Sequence, residues 1–389
     1  MPDRGPLPPI PLTVLTGFLG AGKTTLLNRL LRDPALTDTV VIVNEFGAVG
    51  IDHLLVEQSD EGMVLLSAGC LCCTIRGDLV STLEDLLRRR DNGRIMPFRR
   101  VVIETTGLAD PAPVLAAVLH HPYLKLRYGL EGVVTVVDGV TGLASLEHHE
   151  EARRQVAVAE RIVVSKSDLP EAETVPLEAR IRALNPGATI IRAVQGDVPA
   201  ERLLLGGLFG LDGKIGDVEA WLQAEASRPD DHHAHDHSHP HDGHAHHGHG
   251  HHHGHGHHHH DPSRHDERIR SLVLTSEAPI AEGSLDLFLD MVRSTFGPRI
   301  LRLKGLVRLK REPDRPLVIQ GVRRVLHIPT MLPVWPDGDR RTRIVMIVED
   351  VPGEAIERMW GAFAGIPSLD APDAAALADN PLAPATLRG

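Results

Sequence analysis

The chain has 389 residues, of which 42% are hydrophobic, and its formal net charge is -11 at pH 7. The length predicts two or three domains, because domains usually run to ~100–200 residues. The negative charge argues against a nucleic-acid partner. No apolar run approaches the ~18 residues of a membrane span, and residues 1–11 lack the apolar core of a signal peptide. We therefore expect a cytoplasmic protein with a sizeable core and no membrane partner.

The most informative stretch is the sequence GFLGAGKTT at residues 17–25, which fits the phosphate-binding pattern G-x-x-x-x-G-K-[ST]. The apolar residues 12–16 before it predict a buried strand, and leucines at helical spacing after it predict a helix. Glycines in such a loop let backbone N–H groups face phosphate oxygens, and the helix adds its positive end. A glycine-rich turn that matched the pattern by chance would lack this strand and helix.

The pattern predicts a role for each residue of the loop. Lys23 is expected to reach the β- and γ-phosphates of a nucleotide, and the Thr24 hydroxyl is expected to bind Mg²⁺. Thr25 is expected to contact the α-phosphate. The backbone cradle would consist of Gly17, Gly20, Ala21 and Gly22.

Residues 40–43 predict a second buried strand, parallel to the first. The polar loop NEFGAVGID follows at residues 44–52, at the edge where doubly wound sheets place their sites. Glu45 and Asp52 are candidate ligands there for Mg²⁺ or another metal. Solvated loop acids are the ordinary alternative for both residues.

All three cysteines, Cys70, Cys72 and Cys73, lie within four residues. The cluster does not suit a disulfide framework and indicates metal or redox chemistry. Thiolates suit Zn²⁺ and Cu⁺, and three of them with an acid or a histidine would complete a tetrahedral zinc site. A single cysteine knuckle favours an open or transferable site. Buried hydrophobe-like cysteines and a redox role for Cys72 and Cys73 are the alternatives.

Aliphatic residues at 101–103 predict another strand, and the sequence ETTG follows at residues 104–107. An acid at this point is typical of a Walker-B-like element. Glu104 is therefore expected to act on Mg²⁺ or on its bound water, and the Gly107 N–H to sense the γ-phosphate as a switch loop does. We assign catalytic roles to Lys23, Glu104 and Gly107.

A further buried strand ends in the sequence SKSD at residues 165–168, which resembles the N/T-K-x-D element that binds guanine. The Asp168 carboxylate can accept two hydrogen bonds from the N1–H and N2–H₂ edge of guanine, and adenine offers no such pair. Lys166 would pack its stem over the base. Ser165 replaces the usual asparagine or threonine, which weakens one supporting hydrogen bond. An ordinary N-cap at a strand–helix turn is the alternative.

The composition changes abruptly at Arg228, and 19 of the 25 histidines lie between His232 and His265. A segment of His, Asp and Gly cannot bury a core, so residues 228–267 are predicted to be a disordered linker. Neutral imidazole is a ligand for Zn²⁺, Co²⁺, Ni²⁺ and Cu²⁺, so the tract also fits metal buffering. A bland spacer and an expression tag are the alternatives, and a tag would lie at a terminus.

The remaining sequence predicts a small α+β domain at residues 268–366. Strand patterns at 271–274, 300–309, 317–319, 323–328 and 343–348 accompany helix patterns at 283–295 and 351–363. Residues 300–309 alternate apolar residues with Arg and Lys, as a half-exposed strand does. We therefore expect a sheet that is partly open on one side, followed by a flexible tail at residues 367–389.

The motifs occur in the order GFLGAGKTT, NEFG, CLCC, ETTGLADP and SKSD. Together they resemble the CobW-type family of metal-handling P-loop GTPases, relatives of the nickel-insertion GTPases for hydrogenase and urease. Residues 301–305 (LRLKG) and 341–345 (RTRIV) resemble the family's C-terminal domain, and a His-rich insert is common between its two domains. The resemblance covers nearly all of residues 10–365. One departure is Ala48, where many members carry an acid, and this leaves the metal ligand set open.

The resemblance implies an α/β fold: a P-loop NTPase domain at residues 1–227, with a mainly parallel doubly wound sheet, and a smaller α+β C-terminal domain. It implies GTP binding with Mg²⁺ and slow hydrolysis, coupled to delivery of Zn²⁺ or Co²⁺ to a client metalloprotein. The hypothesis places the metal on Cys70, Cys72 and Cys73 with Glu45.

Three other functions stay open at this point. The chain could assist cobalt insertion into a corrin ring, or it could store zinc in the His tract. A P-loop kinase that uses ATP is the third, and Asp168 argues against it. The sequence leaves the oligomeric state open. A dimer that depends on nucleotide or metal is one hypothesis.

Overall fold

The computed structural model describes residues 8–44, 56–59, 63–68, 75–194, 197–204, 268–327, 329–336 and 338–365. Two β-sheets organise these residues, one formed by strands up to residue 192 and the other by strands from residue 269 onwards. Within the described ranges, no helix is both long and apolar enough to cross a membrane. The predicted linker at residues 228–267 and tail at residues 367–389 lie outside the described residues, and the predicted domain boundaries stay predictions.

The first sheet has eight strands in the described part of the chain. They are β1 (Ile10–Gly17), β2 (Thr39–Asn44), β3 (Val56–Ser59), β4 (Met63–Ala68), β5 (Arg100–Glu104), β6 (Tyr128–Asp138), β7 (Arg161–Ser165) and β8 (Thr189–Arg192). Their spatial order is β3-β4-β2-β5-β1-β6-β7-β8. All neighbours pair in parallel except the edge strand β3, which is antiparallel to β4. The predicted mainly parallel sheet is confirmed.

Helices pack on both faces of this sheet. They are α1 (Lys23–Leu30), α2 (Ile75–Asp91), α3 (Ala112–His120), α4 (Leu124–Arg127), α5 (Gly142–His148), α6 (Glu150–Val158), α7 (Thr174–Leu184) and α8 (Ala200–Leu204). Successive residues of a strand point to opposite faces. Val14 of β1 therefore joins the core beneath α2, α3 and α6, while Leu15 joins a second core beneath α1 and α8.

The strand order reverses at β1, which has β5 on one side and β6 on the other. Parallel strands end at the same edge of a sheet, and doubly wound folds bind their ligands where the order reverses. β1 and three strands within two positions of it end in predicted site residues or lead directly into them. The loops after β1, β2, β5 and β7 carry the P-loop, the NEFG segment, the ETTG segment and the SKSD segment.

The second sheet is antiparallel. Its elements are β9 (Ile269–Ser276), α9 (Glu282–Phe296), β10 (Ile300–Val307), β11 (Leu317–Val322), β12 (Val325–Leu326), β13 (Thr330–Met331), β14 (Thr342–Glu349) and α10 (Gly353–Ala364). The order is β12-β11-β10-β14-β9, with β13 paired to β11. The strand predicted at residues 323–328 is shortened to β12, because Arg323 (φ 56°) and Arg324 form the turn of a hairpin between β11 and β12.

The two helices of this domain cover one face of its sheet. Phe288 of α9 and Trp360 of α10 meet edge to face with ring centroids 5.0 Å apart. Trp360 donates its Nε1–H to the carbonyl oxygen of Thr275 on β9 at 2.8 Å. An aromatic pair of this kind adds to the stability given by apolar burial.

The expectation of an open sheet face is wrong where the two domains meet. Leu301, Val322 and Ile347 pack into the same apolar core as the first sheet. Arg302 of β10 is only 5% exposed. It donates to the carbonyl oxygens of Val158 and Ala159 at the end of α6. The alternation along β10 therefore reflects contact with the neighbouring domain and not contact with water.

Candidate nucleotide and metal site

The P-loop connects the end of β1 to the start of α1. Gly17 has a φ of 146°, and a Cβ there would lie 2.3 Å from the carbonyl oxygen of Val136, so only glycine fits. Gly20 and Gly22 also have left-handed backbones, with φ of 73° and 90°. The N–H groups in the first turn of α1 lack acceptors within the helix. They form an end of the helix that favours an anion.

Lys23 lies inside this loop. Its Nζ donates to the carbonyl oxygens of Gly17 at 2.8 Å and Phe18 at 3.1 Å. Burial lowers the pKa of Lys23, and the nearby Glu104 carboxylate opposes that change. The ammonium group therefore sits among P-loop carbonyls, where phosphate oxygens would add negative charge.

Thr24 and Glu104 meet because β1 and β5 are neighbours, with Leu15 and Glu104 in register. Thr24 donates its hydroxyl hydrogen to Oε1 of Glu104 at 3.1 Å. Glu104 is 5% exposed, and a carboxylate buried to this extent needs a polar or cationic partner. A hydroxyl and a carboxylate at the phosphate end of a P-loop are the hard oxygen donors that fit Mg²⁺. Thr25 follows Thr24 and is exposed on the first turn of α1.

Gly107, the predicted γ-phosphate sensor, lies against the P-loop. A Cβ on Gly107 would lie 2.8 Å from the backbone nitrogen of Leu19 and 2.9 Å from its Cα. The contact leaves no room for a side chain. It brings the loop after β5 directly onto the phosphate-binding loop.

Gln155 of α6 holds this loop, and sequence reasoning missed it. The residue is fully buried. Its Nε2 donates to the carbonyl oxygens of Gly107 and Ala109, each at 3.1 Å. His149, just before α6, stacks on Phe18 of the P-loop with centroids 4.5 Å apart. A single glutamine in a helix carries no local motif, so only the packing of α6 shows this role.

The SKSD segment follows β7 and lies beside the P-loop. Ser165 donates its hydroxyl hydrogen to the carbonyl oxygen of Ala21 at 2.7 Å. Nζ of Lys166 lies 3.2 Å from the carbonyl oxygen of Gly20. Asp168 is exposed in the same loop. The structure thus brings Lys166 to the P-loop and leaves the Asp168 carboxylate at the surface beside it.

Asp138, at the end of β6, is a second residue that the predicted site set missed. Its Oδ2 lies 2.5 Å from Nζ of Lys166, and its Oδ1 accepts from the N–H groups of Val140 and Thr141. Desolvation would raise the pKa of Asp138, but these hydrogen bonds outweigh it and the net pKa is lowered. The ionised carboxylate therefore orients Lys166. An acid at the end of a buried strand was the available signal.

The predicted metal ligands Glu45, Cys70, Cys72 and Cys73 lie outside the described residues. Within the described ranges, no group of three His, Cys, Asp or Glu residues could hold a metal ion. The strands that lead to the two ligand segments are described. β2 ends at Asn44 and β4 ends at Ala68, and these two residues are paired in register. Val43 is in turn paired with Glu104 on β5, on the other side of β2.

Comparison with known proteins agrees with the two-domain fold described above. The model of the CobW/HypB/UreG nucleotide-binding domain matches residues 11–192, and that of the cobalamin synthesis protein cobW C-terminal domain matches residues 269–364. The zinc chaperone YjiA of Escherichia coli is 31% identical over 358 residues, which span 92% of this chain and 99% of that protein. The zinc chaperone CobW of Pseudomonas aeruginosa is 33% identical over 231 residues, which span 50% of this chain and 59% of that protein.

A solved structure extends the likeness to both domains. The crystal structure of the Zn(II)-bound YjiA GTPase from E. coli matches with a TM-score of 0.65 and 27% identity, over 92% of this chain and 99% of that chain. The fold, the P-loop and these matches define a P-loop GTPase. The chain belongs to the CobW/HypB/UreG family and carries that family's CobW-type C-terminal domain.

Proposed function

We propose that the chain is a GTP-driven metallochaperone that carries Zn²⁺, or alternatively Co²⁺, to a client metalloprotein. The observation that carries the proposal is the register pairing of Asn44 with Ala68 and of Val43 with Glu104. The strand that enters the NEFG segment therefore lies between the strand that enters the CLCC segment and the strand that presents Glu104. Zn²⁺ as the cargo is supported by two relatives, from E. coli and P. aeruginosa, that are named zinc chaperones.

In this proposal GTP binds along the P-loop backbone. Lys23 contacts its β- and γ-phosphates, and Thr25 contacts its α-phosphate. Thr24 and Glu104 would hold Mg²⁺, which neutralises charge that develops on the phosphates. Lys166, oriented by Asp138, packs over the base while Asp168 accepts hydrogen bonds from the guanine edge. The backbone cradle is formed by Gly17, Gly20, Ala21 and Gly22.

The cargo would bind at Cys70, Cys72 and Cys73, with Glu45 as a further ligand. Three thiolates and one carboxylate satisfy the tetrahedral preference of Zn²⁺. GTP can control the cargo only if Zn²⁺ binds one nucleotide state more tightly than the other. We propose that the loops after β2 and β5 transmit this difference, because their strands are direct neighbours in the sheet.

We further propose that the nucleotide domain spans residues 1–227 and the C-terminal domain residues 268–366. The His-rich residues 228–267 would serve as a linker that concentrates metal near the cysteine site, and residues 367–389 as a flexible tail. The family matches at residues 11–192 and 269–364 support this division.

A competition titration of Zn²⁺ and Co²⁺ against a chromophoric chelator tests the function. The titration uses the full chain, a chain without residues 230–265, and Cys72→Ser, each with a GTP analogue and with GDP. We expect a tight one-to-one site that survives deletion of the His tract, requires Cys72 and changes affinity with the nucleotide.

Other results would favour other functions. Loss of all tight binding on deletion of the His tract would favour zinc storage. A tight site that ignores the nucleotide would contradict GTP-controlled delivery. A site that prefers Co²⁺ would favour an accessory role in cobalt insertion.

A further inference from the structure

The loop that carries Gly107 is anchored from two sides. From α6, Nε2 of Gln155 donates to the carbonyl oxygens of Gly107 and Ala109. From the second sheet, Nη2 of Arg323 donates to Oδ2 of Asp110 at 2.6 Å. Gln155 belongs to the nucleotide domain and Arg323 to the C-terminal domain. The loop is therefore held by both domains at once.

The orientation of the Gln155 amide follows from its neighbours. Both partners are carbonyl oxygens, which only accept hydrogen bonds, so the NH₂ group must face them. Each bond holds one peptide group, that of Gly107 with Leu108 and that of Ala109 with Asp110. The backbone on the C-terminal side of the predicted phosphate sensor is thereby restrained.

The two anchors are also connected to each other. Arg154, which precedes Gln155 on α6, donates from Nε to the carboxylate of Glu349 at 2.9 Å and 3.1 Å. Nη1 of Arg323 lies 3.9 Å from Oε2 of the same Glu349, whose side chain is 7% exposed. A closed ring therefore runs from the loop through α6 to the C-terminal domain and back to Asp110.

We propose that Gln155 is a positioning residue for the γ-phosphate-sensing loop and that Arg323 couples this loop to the C-terminal domain. The proposal rests on the proposed binding of GTP at the P-loop. Gly107 meets the γ-phosphate only when its peptide groups are held in the right place. GDP lacks this phosphate, so loss of either anchor weakens binding of GTP and leaves binding of GDP unchanged.

A purely structural role for Gln155 would act through the stability of α6, and the chain offers a matched control. Asn185 is also buried, and its Nδ2 donates to the carbonyl oxygens of Val156, Ala157 and Ala159 in and just after α6. These three hydrogen bonds go to the end of the helix and not to the loop. Asn185→Ala therefore removes a buried amide that supports α6 and leaves the loop anchors in place.

The experiment measures dissociation constants of the full chain for a non-hydrolysable GTP analogue and for GDP, together with kcat and KM for GTP. In Gln155→Ala we expect the preference for the GTP analogue over GDP to fall about tenfold, the scale of one to two lost hydrogen bonds. In Arg323→Gln we expect a fall of about threefold, because its guanidinium contacts a partly exposed carboxylate. In both variants the kcat for GTP hydrolysis should also fall, while the affinity for GDP should stay unchanged.

Two further variants complete the test. Arg340→Gln, which removes a surface ion pair with Asp314 in the same domain, should leave the preference unchanged. Arg323→Lys keeps the positive charge and should recover part of the loss. Because the Arg323 side chain is 20% exposed, its variants test the coupling even if the core variant at Gln155 folds poorly.

An equal loss of affinity for both nucleotides would overturn the positioning role. The same shift in Asn185→Ala would overturn it too, and an unchanged preference in Arg323→Gln would overturn the coupling to the C-terminal domain. All readouts are made without zinc. A failure of nucleotide-controlled zinc binding would therefore contradict the delivery function. It would not affect the nucleotide preferences measured for the Gln155 and Arg323 variants.

Discussion

Arg302 and Glu160 form a buried ion pair across the two domains, with 2.5 Å between Nη2 and Oε1. Glu160 also accepts from the backbone N–H of Val133 through Oε2 at 2.6 Å. Arg302 in turn donates to carbonyl oxygens at the end of α6. Both side chains are almost removed from water, so each charge depends on the other for its counter-ion.

Replacement of Arg302 by methionine should destabilise the protein by about 3 kcal/mol, because the Glu160 carboxylate would stay buried without its cation. Urea denaturation followed by tryptophan fluorescence measures the free energy of unfolding. Arg302→Met combined with Glu160→Gln should lose less than the two single changes together. A loss below about 1 kcal/mol in the single variant would show that the pair behaves like an exposed one.

His327 should make the stability of the protein depend on pH. Burial lowers its pKa to about 4, the charges of Arg302 and Lys304 act in the same direction, and Glu160 opposes them. In the unfolded chain the ring takes up a proton near pH 6.5. Stability should therefore be unaffected by this residue above pH 6.5 and should fall as the pH decreases from 6.5 towards 4.

Denaturation at pH 7.5 and pH 5 checks this expectation. His327→Gln should reduce the loss of stability between the two pH values, and His120→Gln, at an exposed position, should not. An identical loss in the parent and in His327→Gln would assign the acid sensitivity to other groups.

Gly107→Ala should reduce GTP hydrolysis by at least about tenfold, because a Cβ there forces the loop away from the P-loop backbone at Leu19. GDP affinity should change little, since in our proposal the loop contacts the γ-phosphate, which GDP lacks. Steady-state hydrolysis and a GDP titration measure the two effects. Gly283→Ala is the matched control, because a Cβ there meets no atom within 4 Å.

Glu104→Gln should reduce kcat for GTP by about 100-fold, the scale of one lost electrostatic contact in a transition state. The amide keeps the size of the side chain and its hydrogen bond with Thr24, and it loses the charge that would help hold Mg²⁺. A Mg²⁺ titration of GTP hydrolysis should show a higher requirement for the metal. Glu178→Gln, at a surface ion pair with Arg192, serves as the control. Full activity in Glu104→Gln would exclude the assigned role.

Local pattern predicted much of the fold. Aliphatic runs bounded by polar loops indicated β1, β2, β5 and β7, and leucines at helical spacing indicated α1, whose Leu26, Leu27 and Leu30 are buried. The pair β3 and β4 was not predicted. β3 is a four-residue strand of mixed polarity, and its pairing with β4 depends on the rest of the sheet.

The candidate site likewise has parts that the sequence predicted and parts that it did not. Sequence by itself determined the P-loop, because Gly20, Gly22 and Lys23 serve a backbone conformation set by neighbours in the chain. Sequence also predicted Glu104 and the SKSD segment as parts of the site, since each ends a buried strand, and both contact the P-loop segment. Each of these features depends on residues that lie close together in the chain, so each one forms a recognisable sequence motif.

Only the tertiary structure decided which distant residues support this site and what covers the second sheet. Gln155 lies 48 positions from Gly107, and Arg323 lies 213 positions from Asp110. Arg302 reads as an exposed strand residue in isolation and is buried because another domain lies over it. A polar side chain is placed by whichever partner satisfies its hydrogen bonds, and when that partner comes from a remote segment no local periodicity records it.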